Sequence, residues 1–231
     1  MNYLYYLRNP KTLFKKTLAK FTLSLVKKKF KFKNKGLFLT RQYNEYSDYL
    51  KHQKSKFIIN ERILKEVFEK KTENFFLSFK KITDFNKKNV LCLASRDGAE
   101  VKAFRDLGAN AVGIDLMYPE KCKYVHYGDF HDIPYPKNVF DFVFTNSLDH
   151  AFDIDKISEE ANRVLKKDGF FLCDIILGTE EGYKDLSGDF ESFTWSKRSD
   201  LKDIITKKYF TFDNEIKKDK YWSHFLFKPI K

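Results

Sequence analysis

A chain of 231 residues with 42% hydrophobic and 17% aromatic content is long enough for one packed α/β domain with an appendage and short for two full domains. That composition excludes wholesale disorder, and no apolar run approaches the roughly 20 residues needed to cross a bilayer. The net charge of +12 is unevenly spread. Twelve basic residues and no acid lie between Met1 and Asn44, leaving 32 of the 44 basic residues to balance all 32 acids. The basicity therefore belongs to an arm (1–44), not to the remainder of the chain.

Within that arm, Leu13, Phe14, Leu18, Phe21 and Leu25 fall on one side of a helix begun by Pro10, with Lys15, Lys16, Lys20 and Lys27 opposite. Such a helix either lies on an anionic membrane surface through residues 1–35 or caps its own domain with its lysines solvated. The short segment "FTLSLV" lacks a cleavage site and is too brief for a signal core. The location expected is cytoplasmic, with a peripheral membrane contact as the role open to the arm. "KKKFKFKNKG" comes next and reads as an edge strand or linker rather than a nucleic-acid contact, since the rest of the chain is neutral.

Residues 45–85 read as a helical lid or layer made of two stretches, "NEYSDYLKHQKSKF" and "NERILKEVFEKKTENFFLSFKKI", the second capped by Asn60. From residue 86 onward strands and helices alternate. The strands are "NVLCLAS", "NAVGIDL", "KYVHY", "FDFVFTNS" and "GFFLCDIIL"; helices fit around "AEVKAFRDLG" and "DIDKISEEANRVLKKDG", the latter ended by Lys166, Lys167 and Gly169. A helix at "KRSDLKDIITKKY" and a terminal hairpin, "FTFDNEIKK" with "YWSHFLFKP", complete the pattern. The fold class expected is α/β: a doubly wound, mostly parallel seven-stranded sheet of Rossmann-like form, with an N-terminal basic helical arm. Cys92 and Cys173 fall inside core strands and, with Cys122, have no metal-ligand spacing, so no metal is expected.

In such a sheet ligands bind at the carboxyl ends of the strands, where the topology switches. Four groups sit there. The turn "ASRDG" follows the first strand of this region. Asp115 ends the next strand, about 20 residues beyond the turn, the separation at which an acid meets ribose hydroxyls. Asp129, beside Phe130, is placed to accept from an adenine amino group. "TNSLDHAFD" faces the place where a substrate would lie.

These segments together resemble the class I S-adenosylmethionine-dependent methyltransferases, in their type 11-like subgroup with small-molecule acceptors. "VLCLASRDGAEV" is similar to the family's first motif, "GIDL" to its ribose-acid motif, and "GDFHDIPYPKNVFDFVFTNSLDHAFD" with "EEANRVLKKDGFFLCDI" to the later ones. The resemblance implies S-adenosyl-L-methionine as cofactor. Ala94, Ser95, Arg96 and Gly98 would run beside its methionine part, Asp115 would hold the ribose, and Leu116 would flank the adenine. Asp129 and Phe130 would hold the adenine, and Asn146 would line the methyl-transfer side. Two departures stand out. Cys92 occupies a position where the family often has an acid, and Ala94 and Arg96 replace two glycines. Ala94 fits such a turn where φ is negative, and Arg96 either reaches the cofactor's carboxylate or faces solvent or pairs with Asp97 or Glu100.

His150 reads as a general base or, preferably, as a structural histidine, because methyl transfer to a good nucleophile needs only alignment. His126 reads as structural. Tyr183, Phe193 and Trp195 form either an acceptor pocket or an anchored surface loop. The function expected is methyl transfer to an O, N or C nucleophile of a small-molecule, glycan or lipid acceptor. The alternatives are a non-catalytic relative acting through its arm on a membrane or nucleic acid, and a nicotinamide-dependent oxidoreductase, against which the missing G-x-G-x-x-G spacing counts.

Overall fold

The computed structural model describes residues 30–117, 122–183 and 188–231 together with Phe14, Thr17 and Phe21, with the backbone alone over 56–66. In chain order the elements are β1 (Phe32–Asn34), β2 (Phe38–Arg41), α1 (Tyr46–Phe79), β3 (Asn89–Leu93), α2 (Ala99–Asp106), β4 (Asn110–Asp115) and β5 (Val125–Tyr127). Next come β6 (Phe140–Thr145), α3 (Ile154–Val164), β7 (Leu165–Ile176), β8 (Phe193–Trp195), α4 (Arg198–Thr206), β9 (Phe210–Lys217) and β10 (Trp222–Pro229).

Seven strands form one sheet in the order β5-β4-β3-β6-β7-β10-β9. Every pairing from β5 to β7 is parallel, and β10 runs antiparallel to both of its neighbours. The inner strands are apolar on both faces because helices cover both. Leu91, Leu93, Ile114, Val143 and Phe171 point toward Ile157 and Val164 of α3 and Leu201 and Ile205 of α4. On the opposite face Val90, Cys92, Ala111, Phe144 and Leu172 meet Val101 and Phe104 of α2 and Phe75 and Phe79 of α1. The rings of Phe79 and Phe104 stack at 4.0 Å and 8°, locking α1 onto α2. On the same side Asp174 pairs with His224 and with Lys218 Nζ (2.6 Å), and His224 meets the Ser78 hydroxyl, so a buried polar chain also ties α1 to β7 and β10.

Two helix boundaries differ from the sequence reading. The two stretches within 45–85 are one 34-residue helix, α1; no Gly or Pro interrupts it, and Asn60 lies inside it instead of capping a second helix. Helix α3 stops at Val164, and Lys166, Lys167 and Gly169 belong to β7. Gly169 is there because β6 passes close by: a Cβ would stand 2.8 Å from the Asp141 carbonyl oxygen.

Strand β1 is an edge strand, in a small antiparallel sheet ordered β1-β2-β8. Arg41 fastens that sheet through its guanidinium, donating to the carbonyls of Phe30 (3.0 Å), Gly188 (3.0 Å) and Glu191 (2.9 Å). A boundary at residue 44 therefore falls inside a packed unit, because 30–44 pair with the segment after β7. In the amphipathic stretch before it, Phe14, Thr17 and Phe21 are helical, and Phe14 and Phe21 are exposed. The expectations for Leu13, Leu18, Leu25 and the intervening lysines lie outside the described residues. No helix among the described residues is long and apolar enough to cross a membrane.

Candidate active site at the carboxyl end of the sheet

Strand β3 has β4 on one side and β6 on the other, so the turn that leaves it opens a crevice at the switch point. A cavity of about 230 Å³ lies there. Ala94, Arg96 and Glu100 line it from the turn and the start of α2, and Asp115, Leu116 and Met117 from the end of β4. Gly128 and Phe130 follow β5, and Asn146, Ser147 and His150 follow β6. Helix α1 contributes Tyr49, Gln53 and Lys71.

The turn keeps the shape that glycines would give it. Ala94, Arg96 and Gly98 have φ of 53°, 37° and 78°, the left-handed region that non-glycine residues rarely occupy. Ala94 is thus not at a negative φ, as expected from the sequence; it takes the glycine conformation at a steric cost. What holds it there is a ring of hydrogen bonds. Ser95 N–H donates to the Ile114 carbonyl (3.1 Å), Gly98 N–H to the Ser95 carbonyl (2.7 Å), and Arg96 N–H to Asp115 Oδ2 (2.9 Å). Ser95 can sit so close to β4 because residue 113 is glycine; a Cβ there would lie 2.1 Å from Ser95 Oγ. Ser95 itself is fully buried and does not line the cavity.

Asp115 Oδ1 accepts from Met117 N–H at 2.8 Å. Each carboxylate oxygen thus accepts a backbone donor, one from either side of the crevice. Arg96 faces the cavity, and its Nε is buried without a hydrogen-bond partner among the described residues. The ion pairs with Asp97 (3.1 Å) and Glu100 (3.8 Å) are made by Lys71 of α1. Glu100 is 1% exposed, and burial pushes its carboxyl up to about 7, against the pull of Lys71 and with the help of Asp97.

Asp129 stands elsewhere. It does not line the cavity, and its carboxylate is engaged by the Tyr46 hydroxyl and by His131 through N–H (2.9 Å) and Nδ1 (2.9 Å). Burial works against its charge, but these hydrogen bonds win and hold the carboxyl below its usual range. His131 Nε2 accepts from the N–H groups of Phe152 and Asp153, both at 3.2 Å, which assigns its hydrogen to Nδ1 and links the loop after β5 to the loop after β6. Phe130, by contrast, does line the cavity. Asn146 lines it too, with its Oδ1 accepting from Ser147 Oγ (2.9 Å). His150 lines it and places Nδ1 3.0 Å from the Phe190 carbonyl and Nε2 3.9 Å from Asp149 Oδ1. Phe193 and Trp195 are buried, Phe193 stacked on Phe38 and Trp195 donating from Nε1 to the Ile176 carbonyl (3.0 Å); neither lines the cavity, and nor does Tyr183. His126 is exposed on β5.

The sequence reading, which gave 45–85 as a lid or layer, named none of the residues that line the cavity from α1. Tyr49 is 1% exposed and Gln53 Nε2 donates across to the Phe190 carbonyl (2.9 Å) and Ser192 Oγ (3.0 Å), so α1 and the segment after residue 188 close over the cavity together. Their common spacing on one helical face was visible, but not which surface that face would meet. Glu100 had a signal: a carboxylate set among Ala99, Val101, Ala103 and Phe104 on the buried side of α2.

A doubly wound sheet of this strand order, with an acid ending β4 and a tight turn leaving β3, is the fold shared with solved S-adenosylmethionine-dependent methyltransferases. Residues 91–173 match the family model described as a methyltransferase domain. That stretch, well under half of the chain, is similar to the type 11-like S-adenosylmethionine-dependent methyltransferases, and the cofactor this similarity implies is S-adenosyl-L-methionine. The fold is similar to that of Burkholderia thailandensis 1,6-didemethyltoxoflavin-N1-methyltransferase, solved with 1,6-didemethyltoxoflavin and S-adenosylhomocysteine (TM-score 0.63, 12% identity, 87% of this chain and 100% of that one). It is also similar to the PH0226 protein of Pyrococcus horikoshii (0.55, 19%, 71% and 91%) and to a putative S-adenosylmethionine-dependent methyltransferase of Listeria monocytogenes (0.51, 17%, 69% and 99%). No curated protein matches the chain in sequence.

The cavity suits this cofactor. Its lining has the kinds of groups such a cofactor needs: the Asp115 carboxylate, apolar Leu116 and Phe130, and Arg96, whose Nε has no hydrogen-bond partner among the described residues.

Proposed function

We propose that the protein transfers a methyl group to an O, N or C nucleophile of a small-molecule acceptor held beneath α1. The observation that carries this reading is the closure of the cavity by Tyr49 and by the Gln53 bonds to Phe190 and Ser192. A small acceptor fits beneath that roof, whereas a polymer would have to break it. The small-molecule acceptor of the Burkholderia enzyme, which shares the fold over 87% of this chain, supports the same choice. A glycan or lipid acceptor would require the same opening at the roof.

S-adenosylmethionine supplies an electrophilic sulfonium methyl. The residues here bind and align: Asp115 takes the ribose hydroxyls, Leu116 and Phe130 flank the adenine, and Ala94 forms the wall beside the methionine part, with Ser95 and Gly98 holding the turn behind it. Arg96 donates to the methionine carboxylate through the Nε that otherwise has no partner. Asn146 and His150 face the acceptor. His150, held by the Phe190 carbonyl at Nδ1 and with Asp149 Oδ1 3.9 Å from Nε2, is the general-base candidate for an acceptor hydroxyl or amine. Asp129 supports the site by fixing His131 rather than by touching adenine. Calorimetric titration tests the reading: S-adenosylhomocysteine should bind and NAD should not, and binding of NAD alone would replace it with hydride chemistry.

The exposed Phe14 and Phe21 on a lysine-rich arm support a peripheral contact with anionic membrane from the cytoplasmic side. Co-sedimentation of the full chain with phosphatidylserine vesicles, lost in a Phe14→Glu, Phe21→Glu variant, is the expected result; equal sedimentation of the two would remove this role.

A further inference from the structure

Near its end β3 lacks the acid that the similar family motif often places there, and Cys92 fills that position, wholly buried. Burial and the neighbouring Glu100 carboxylate both push the Cys92 thiol well up, so Glu100 lies beside the place that the missing acid would occupy. Glu100 is the second residue of α2 and lines the cavity. Its Oε2 is buried and has no hydrogen-bond partner among the described residues. Lys71, the nearest cation, is committed at 3.1 and 3.3 Å to Asp97 and stands 3.8 Å from this oxygen. Leaving a buried carboxylate oxygen without a donor is costly, and so is leaving Arg96 Nε unpaired in the same cavity.

Two buried atoms of opposite charge lining one cavity, neither with a hydrogen-bond partner among the described residues and Glu100 held only by the 3.8 Å approach of Lys71, are the complement of a zwitterion. Building on the function proposed above, we propose that Glu100 is the receptor for the α-ammonium of the cofactor's methionine part, standing on α2 in place of an acid at the end of β3, with Arg96 taking the adjoining carboxylate. The pair explains why an arginine persists at a left-handed turn position: it and Glu100 form one amino-acid clamp.

Calorimetry with two probes separates this from the cofactor reading itself. S-adenosylhomocysteine carries the amino-acid group, and 5′-methylthioadenosine keeps the adenosine and lacks it. Wild type should bind the former more tightly. Glu100→Gln, which keeps shape and removes charge, should weaken S-adenosylhomocysteine roughly tenfold or more, as loss of a charge-assisted bond does, and leave 5′-methylthioadenosine within about twofold. A thermal melt of Glu100→Gln at or above the wild-type midpoint shows that the fold is intact. Undiminished S-adenosylhomocysteine binding by Glu100→Gln overturns the ammonium assignment while the cofactor reading stands. Binding of neither probe by wild type overturns both.

Discussion

Asp115 and Arg96 are joined through the main chain: the carboxylate that ends β4 receives the Arg96 N–H at 2.9 Å on Oδ2 while Oδ1 receives the Met117 N–H at 2.8 Å. One side chain therefore fixes the turn after β3 and the start of the loop after β4, and also lines the cavity. Asp115→Ala should weaken S-adenosylhomocysteine by about ten- to a hundredfold, through loss of charge-assisted bonds. It should also lower stability by roughly 1–3 kcal/mol, since two backbone donors lose their acceptor. Calorimetry and urea titration measure the two effects, and an affinity within twofold of wild type would remove Asp115 from the site.

The same clamp holds Ala94 and Arg96 at φ of 53° and 37°. A non-glycine residue in that region is strained by about 1–2 kcal/mol, partly offset by the smaller entropy it loses on folding. Ala94→Gly and Arg96→Gly should each stabilise the fold by roughly 0.5–1 kcal/mol in urea titrations. Their effects on ligand binding should diverge. Ala94→Gly should keep affinity for S-adenosylhomocysteine, whereas Arg96→Gly should lose it while gaining stability. Parallel behaviour of the two variants would mean that Arg96 makes no contact of its own.

The sheet was legible because both faces of β3, β6 and β7 are apolar and the strands alternate with helices in a fixed order. The ends of the strands were legible for the same reason: Asp115, Phe130 and Asn146 follow directly from where each apolar run stops. What the sequence hid was tertiary. Tyr46, Tyr49 and Gln53 share a helical face, but only the folded chain reveals that this face meets His131 and Phe190. Asp129 was expected to meet adenine, but its carboxylate is taken by Tyr46, 83 residues away. No local pattern announces such a bond.

That bond makes a prediction about acid stability. Burial disfavours the Asp129 charge, yet hydrogen bonds from His131 and Tyr46 outweigh it and lower the folded-state value. The unfolded chain then binds more protons than the folded one below its own value near 4, so this stabilisation is present above that pH and is lost as pH falls through the folded value. Asp129→Asn should lower stability by about 1–3 kcal/mol at pH 7 and should flatten the decline on the acid side. Urea titrations of both proteins between pH 7 and 3 measure the difference; parallel curves would show that Asp129 contributes nothing through its charge.

Glu100 has the opposite sign. Its folded-state value is raised by burial to about 7 from an ordinary 4.5, the pull of Lys71 on α1 and of Arg96 being outweighed, with Asp97 adding to the rise and neutral Cys92 facing it from β3. Between those values the folded chain holds a proton that the unfolded chain has released, so stability declines as pH rises from about 4.5 to about 7 and levels off above. The contribution is of the order of a few kcal/mol. A ligand ammonium reverses this preference, because it favours the charged carboxylate. At pH 6 wild type should therefore release close to one proton on binding S-adenosylhomocysteine, seen as a dependence of the calorimetric heat on the buffer's ionisation enthalpy. Glu100→Gln should lack both the decline in stability and the proton release. Proton release of equal size in the variant would place the titrating group elsewhere in the cavity and leave Glu100 a buried acid paired only with Lys71.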